Sequence, residues 1–318
     1  MQKGSKIAFV TGGNGKLGSR ICSVLLNEGY TVRALVRDKT CIPSLPSGVI
    51  PFLGTLDDTN VIDEATEGAD LVVHTAAIVG ETNTTVLELR HVNYEGTLNV
   101  INSCIKANCK HLIFTSTIDV YGKKVKGQIT EETPTKPTDR YGYSKLAAEQ
   151  AIMQSGLTYT IFRMATIYGP GFESHFFKIF EAIMQGKVAI IGDGKNHLAI
   201  VHIFDVLTAI LLAIQKGNSA NQIYNLADGV PHTQEELIDL AADMLNASKP
   251  ERHISRALIY LLAKKKGLDS DELRFLTSDR IVDITKIEKE LGFKPKIDIK
   301  TGGAELVEMF IKSRKVLT

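Results

Sequence analysis

Tyr141 and Lys145 stand four residues apart. On a helix that spacing puts both side chains on one face. An ammonium beside a phenol favours the phenolate and lowers a tyrosine pKa from about 10 toward working pH. Such a pair suits a general acid/base acting on a carbinol or a carbonyl. The spacing by itself is common: Tyr260 and Lys264 repeat it within an apolar run, RALIYLLAK, and are expected only to pack there. Position selects the first pair. It follows the strand-like segment HLIFTST, whose end carries Thr115, Ser116 and Thr117.

A second constellation lies near the start, where the run KIAFV leads into Thr11-Gly12-Gly13-Asn14-Gly15-Lys16-Leu17-Gly18 and then into helical spacing. Glycines 12, 15 and 18 allow a tight turn, a close approach of backbone to a pyrophosphate, and contact between helix and strand. The helix that follows offers unpaired N–H groups and a positive dipole end to phosphates. With 26 glycines in 318 residues the spacing is not rare, so its place at a strand-to-helix junction carries the weight. Thr11, Gly12, Asn14, Gly15, Lys16, Leu17 and Gly18 are therefore expected to cradle a dinucleotide, NADP or NAD. The second strand, TVRALVRD, should end at the adenosine ribose, where a carboxylate would hold the 2′-hydroxyl. Val36 occupies that place, followed by Arg37 and Asp38. Arg37 can accept a 2′-phosphate, which favours NADP(H) over NAD(H); the other reading leaves Arg37 solvated and Asp38 on the ribose.

Positioning these groups requires alternating strands and helices. KIAFV, TVRALV, VIPFL, LVVHTAA, HLIFTST and LTYTIF read as buried strands, with helices between most of them. KKVKGQITEETPTKPTDR reads as a polar loop, and a helix is expected from Tyr143 to Gln154. The pattern argues for a parallel sheet covered on both faces, an α/β architecture. After Tyr168 the rhythm changes to helices with short strands. The expected division is a dinucleotide-binding unit over 1–167, to which 200–227 returns. A smaller, mostly helical C-terminal substrate lobe is expected from 168–199 and 228–318.

Composition excludes several classes. The chain is 44% hydrophobic and 23% charged, unlike a disordered protein. Thirty-seven Lys and Arg against 36 Asp and Glu give a net charge of +1, which supplies no reason to expect nucleic acid. No stretch approaches the roughly 20 apolar residues of a membrane span. The start, MQKGSKIAFV, lacks a small-residue cleavage site and is not expected to be a signal peptide. Cys22, Cys41, Cys104 and Cys109 form no CxxC pair and have no histidine at metal spacing. Idle thiols in a reducing cytoplasm are expected, and no metal.

TGGNGKLG, VVHTAA, VNYEGTLNV, FTSTIDVYG, YGYSK and FRMATIYGPG occur in that order. As a set they resemble the extended short-chain dehydrogenase/reductases, the NAD-dependent epimerase/dehydratase family, over nearly the whole chain. The resemblance implies a doubly wound Rossmann fold with the cofactor across the strand ends. It implies Tyr141 as acid/base, Lys145 as the residue that lowers its pKa and binds the nicotinamide ribose, and Thr117 as the hydroxyl that polarises the substrate oxygen. It places Ala76, Ala77, Asn93 and Thr115 along the cofactor, and Thr55 and Leu56 at the adenine, where the family often has Asp after Gly54.

The LVRD segment, the LPSGVIPFLGTLDD run and SRALIYLLA look most like the dihydroflavonol-reductase and 3β-hydroxysteroid-dehydrogenase branch. Nucleotide-sugar members usually carry Asn in the NVYG motif and Arg after GDG; this chain has Thr166 and Leu198. The diphosphate of a sugar nucleotide would then lack its bidentate partner. Arg280 is a candidate cation there, or else a surface charge. His175, His197 and His202 are expected to be packed or solvated. The leading expectation is an NAD(P)-dependent oxidoreductase interconverting a secondary alcohol and a carbonyl on a small-molecule substrate, with a homodimer as the candidate assembly. The alternatives are a nucleotide-sugar epimerase or dehydratase, and a catalytically silent NAD(P)-sensing protein.

Overall fold

In the first half of the chain, strands and helices alternate: β1 (Ile7–Thr11), α1 (Gly18–Asn27), β2 (Thr31–Val36), β3 (Ile50–Leu53), α2 (Thr59–Thr66), β4 (Leu71–His74), α3 (Val86–Arg90), α4 (Gly96–Lys106) and β5 (His111–Thr117). A 3-10 turn over Ile118–Tyr121 leads to β6 (Lys124–Ile129), α5 (Arg140–Gln154) and β7 (Tyr159–Met164). The computed structural model describes residues 6–79, 84–265 and 273–315.

The second half interleaves short strands with helices. It runs β8 (Thr166–Tyr168), α6 (Ser174–Met184), β9 (Ile190–Ile191), β10 (His197–Leu198), β11 (Ile200–His202), α7 (Ile203–Gln215) and β12 (Gln222–Leu226). Then come β13 (His232–Thr233), α8 (Gln234–Met244), β14 (His253–Ile254), α9 (Arg256–Lys265), α10 (Arg274–Thr277), β15 (Asp279–Val282), α11 (Thr285–Leu291) and α12 (Ile299–Lys315).

Seven strands form one parallel sheet in the order β12-β7-β5-β4-β1-β2-β3. Ala8, Phe9 and Val10 of β1 and Val72 and Val73 of β4 are fully buried, so the central strands face apolar layers on both sides. Ile21 of α1, Val206 of α7 and Ile287 of α11 share one core cluster; Ile62 of α2, Val100 of α4 and Ala148 of α5 share the opposite one. Each fully buried aliphatic or aromatic side chain of this kind contributes about 1.5–3 kcal/mol. Pro51 is tolerated because β3 is an edge strand. The strand order reverses between β1 and β4, which opens a crevice at the carboxyl ends of those two strands. This is a Rossmann-like α/β fold.

A third apolar cluster joins Tyr168, Phe180 of α6, Ile238 of α8 and Phe310 of α12. Val282, Ile284, Ile287, Leu291 and Phe293 do not belong to it. They pack in the core of the sheet, although 228–318 reads mainly as lobe from sequence. Two further elements differ from expectation. The polar loop after Tyr121 contains β6, which pairs in parallel with β15 some 150 residues on, Val282 beside Ile129. Val125 and Ile129 alternate with Lys124, Lys126 and Gln128 and turn to the core, but Gly127 interrupts that apolar face, so the pattern is too short to mark a strand without the distant partner. The helix α5 begins at Arg140, not Tyr143, because the Asp139 carboxylate accepts the Gly142 N–H at 2.8 Å and caps it.

Candidate active site

The glycine loop is shaped by contacts that no side chain could share. Gly12 has φ +68°, and a Cβ at Gly18 would lie 2.1 Å from the Gly12 carbonyl oxygen. A Cβ at Gly13 would lie 2.5 Å from Ala34 Cβ, so the loop lies flat against β2. The N-terminus of α1 follows at once, with Leu17 before it, no side-chain cap and no acidic residue in the first turn. A positive helix end with bare backbone is a site for an anion. Thr11 supports the loop from beneath: its Oγ1 lies 2.6 Å from His74 Nδ1 and accepts the N–H groups of Thr75 and Ala76. Lys16 reaches across to Ser174 at the start of α6, Nζ to Oγ 3.3 Å.

The predicted adenosine end is more divided. Val36 is buried and Arg37 is exposed. Asp38 caps the 3-10 turn Lys39–Ser44, accepting the Thr40 N–H at 2.8 Å and the Thr40 hydroxyl, which together hold its carboxyl below the usual range. Thr55 donates its N–H and its hydroxyl to Asp58 Oδ2, at 2.6 and 3.0 Å. Leu56 is buried against Gly96 of α4, so its side chain belongs to the core and only its backbone can face a ligand. Asn93 is likewise a brace: its amide bonds both the N–H and the carbonyl of Ile78, each at 2.9 Å, and donates to Ser144 Oγ. Thr115 donates to the His74 carbonyl at 3.3 Å. Ala76 and Ala77 are half-buried in the stretch after β4.

Thr117 and Tyr141 line one cavity of about 410 Å³ together with Lys16, Asp119, His175 and Arg280. Thr117 ends β5; its hydroxyl accepts the Asp119 N–H and donates to Asp119 Oδ2, both at 3.2 Å. The other carboxylate oxygen of Asp119 takes the Arg280 guanidinium at 2.7 Å. Lys145 lies one helical turn beyond Tyr141 and is buried, its Nζ 4.0 Å above the Phe114 ring. Burial drives its pKa down to about 7, opposed by the carboxylate of Glu149. Glu149 is in turn held by Arg163, Nη2 to Oε2 at 2.7 Å, and by the Ser116 hydroxyl. Arg163 donates also to the Tyr121 hydroxyl at 2.7 Å, and Tyr121 to Asn225 at 2.8 Å. A buried ionic network therefore fixes α5 to β5, β7 and β12 directly behind the cavity.

The expected residues thus divide. Lys16, Thr117 and Tyr141 meet in the cavity with Lys145 close behind, whereas Leu56, Asn93 and Thr115 support it from the core. Arg280 is not a surface charge: it is 4% exposed and faces the site. Of the three histidines, His175 lines the cavity, while His197 bonds Asp279 at 3.0 Å and His202 is buried against Tyr168. Tyr260 donates to Thr277 Oγ1 at 3.1 Å and does not line the cavity; Lys264 lies outside the described side chains. Asp119, Glu149, Arg163 and His74 were not singled out from sequence. Glu149 stands one turn past Lys145 on the same helix, a signal that was available.

The profile of the NAD dependent epimerase/dehydratase family matches residues 8–227. A 4-hydroxy-2-methyl-3-oxo-4-farnesyl-3,4-dihydroquinoline-1-oxide ketoreductase of Stigmatella aurantiaca is 26% identical over 92% of this chain and 93% of its own. A UDP-glucose 4-epimerase of Vibrio cholerae is 26% identical over 98% of each chain. The crystal structure of the UDP-glucose 4-epimerase of Thermotoga maritima with UDP-glucose superposes with a TM-score of 0.79 at 26% identity, covering 98% of this chain and 100% of that one.

Proposed function

The chain belongs to the NAD-dependent epimerase/dehydratase family, and from that premise we propose that it is an NAD(P)-dependent oxidoreductase interconverting a secondary alcohol and a carbonyl. Its two-part division, a sheet unit that binds the cofactor and a helical lobe that binds the substrate, belongs to the same proposal. So do a cytoplasmic location, consistent with four free thiols, and a homodimer.

The residues present fit a dinucleotide: a glycine loop packed too closely on its own backbone to carry side chains at Gly12 and Gly18 adjoins an uncapped helix N-terminus at the strand switch point. When bound, the nicotinamide supplies or accepts the hydride. Tyr141 gives its hydroxyl proton to the substrate oxygen in reduction and takes it back in oxidation. Thr117 turns its hydroxyl from Asp119 to that oxygen and orients it. Lys145 favours the ionised form of Tyr141 while it is charged, and its pKa of about 7 in the cofactor-free protein means that charge fades above neutrality. Val36 and the exposed Arg37, with Asp38 occupied by Thr40, support NADP(H) as the preferred form.

One observation favours redox chemistry over sugar-nucleotide chemistry. The cavity is walled by Phe172, Phe176 and Phe275, and of the two cations among the described residues that line it, Lys16 belongs to the glycine loop and Arg280 is already neutralised by Asp119. A diphosphate would have to compete with that buried pair. The likeness to the two epimerases keeps sugar-nucleotide epimerisation as the second reading. The test is a panel of ketones and nucleotide sugars supplied with NADPH or NADH. Loss of nicotinamide absorbance matched by alcohol product supports the first reading; interconversion of a nucleotide sugar with no net cofactor change refutes it.

A further inference from the structure

Phe176 and Phe275 are shared walls. On one side they line the site cavity with Thr117 and Tyr141; on the other they line a second cavity of about 70 Å³. Ile179, Leu198, Leu237, Ala241, Met244 and Leu306 are among the residues around it. Among the described residues that line it, Tyr168 is the one whose side chain carries an oxygen or nitrogen, and its hydroxyl is turned to the Ile297 carbonyl at 3.5 Å. A space with walls of this kind stays dry, and at about 10–15 Å³ per water-sized group it has room for about five methylenes. The partition is made of rings in edge contact: His175 to Phe176 at 5.8 Å, His175 to Phe275 at 5.6 Å, and Phe176 to Phe275 at 6.0 Å. Burial, with the Lys178 charge adding to it, holds the His175 pKa below the ordinary value. Small residues leave the room: Ala241 stands on the wall, and even a methyl group at Gly303 would come 3.3 Å from Met244 Sδ. Met244 is unbranched and adapts to an entering chain.

We propose that this cavity is the subsite for a hydrocarbon tail carried by the substrate, entered past Phe176 and Phe275, with the reacting carbonyl left at Thr117 and Tyr141. The substrate class is then a ketone or secondary alcohol bearing an aliphatic chain. The assignment rests on the redox reading for the headgroup, but the subsite itself is testable without turnover.

Two series separate the two. One is reduction of methyl ketones of increasing chain length with NADPH; the other is calorimetric binding of straight-chain primary alcohols to the same protein. The expected result in both is an affinity that rises about fourfold per added methylene over about five carbons and then levels off. Ala241→Phe should bring the plateau two or three carbons earlier, and Met244→Ala should delay it, while the rate on the shortest ketone stays within about threefold of wild type. Alcohol binding with this length dependence but no ketone turnover upholds the subsite and overturns the redox reading. Binding that does not depend on length, or a plateau that neither variant moves, overturns the subsite whatever the turnover. Should Ala241→Phe fail to fold, Met244→Ala decides alone, since its plateau must lengthen.

Discussion

His74 shows how a single buried group can carry a pH dependence. It is fully buried, with Thr11 on one ring nitrogen and Thr97 on the other, and burial pushes its pKa down to about 3. The unfolded chain, with an ordinary histidine pKa near 6.5, binds more protons than the folded one between these values. Stability therefore rises with pH across that window and is lost as pH falls through it, by up to about 1.4 kcal/mol per unit. Urea unfolding between pH 4 and 7 should show this slope, and His74→Gln should flatten it. At this scale the legible residues were those with local motifs: Thr117, Tyr141, Lys145 and the glycines. Arg280 reaches Asp119 across 161 positions, and nothing local distinguishes it from a solvated arginine. Asn93 and Leu56 are legible as motif members, but their inward packing depends on which helix lies against them.

Among the elements, α5 and the loop before α1 place the chemistry, and each can be broken separately. Gly15→Asp should put a carboxylate where the pyrophosphate is proposed to lie. The crowding it adds is confined to one contact, a Cβ 3.1 Å from the Gly12 carbonyl oxygen, which must give by a few tenths of an ångström. NADP(H) binding should be abolished with the thermal unfolding of the cofactor-free protein little changed; retained affinity in a folded variant refutes the cradle. Arg163→Met should act in the opposite way. It strands Glu149, fully buried on α5, without its partner, and breaking a buried pair on one side costs about 3–5 kcal/mol. Denaturant unfolding measures that loss, and a loss under about 1 kcal/mol would mean the network does not fix α5. The apolar strands and amphipathic helices of the first half were legible because burial on both faces writes itself as continuous apolar runs. β6 was not, because only Val125 and Ile129, split by Gly127, mark its inner face, and its pairing with β15 is made far along the chain.

For the whole molecule, the strand order places the crevice between β1 and β4, with Arg37 at one end and Thr117 and Tyr141 at the other. Alternation of strands and helices made that architecture readable; the path of 282–293 back onto the sheet was not, since an apolar segment does not say which core it joins. Arg37→Ala should weaken NADP(H) by about tenfold or more and leave NAD(H) nearly unchanged, as titration of nicotinamide fluorescence would show. Equal loss for both, or none, would return the ribose to Asp38. The central claim is that Tyr141 moves the proton in a site that Tyr260 has no part in. The most direct test compares Tyr141→Phe and Tyr260→Phe for turnover of a reduced ketone, with cofactor affinity measured alongside. Tyr141→Phe should lose about 10² to 10⁴-fold in turnover with cofactor affinity and stability little changed, and Tyr260→Phe should stay within about threefold. Full turnover in Tyr141→Phe, with or without loss in Tyr260→Phe, would contradict the account.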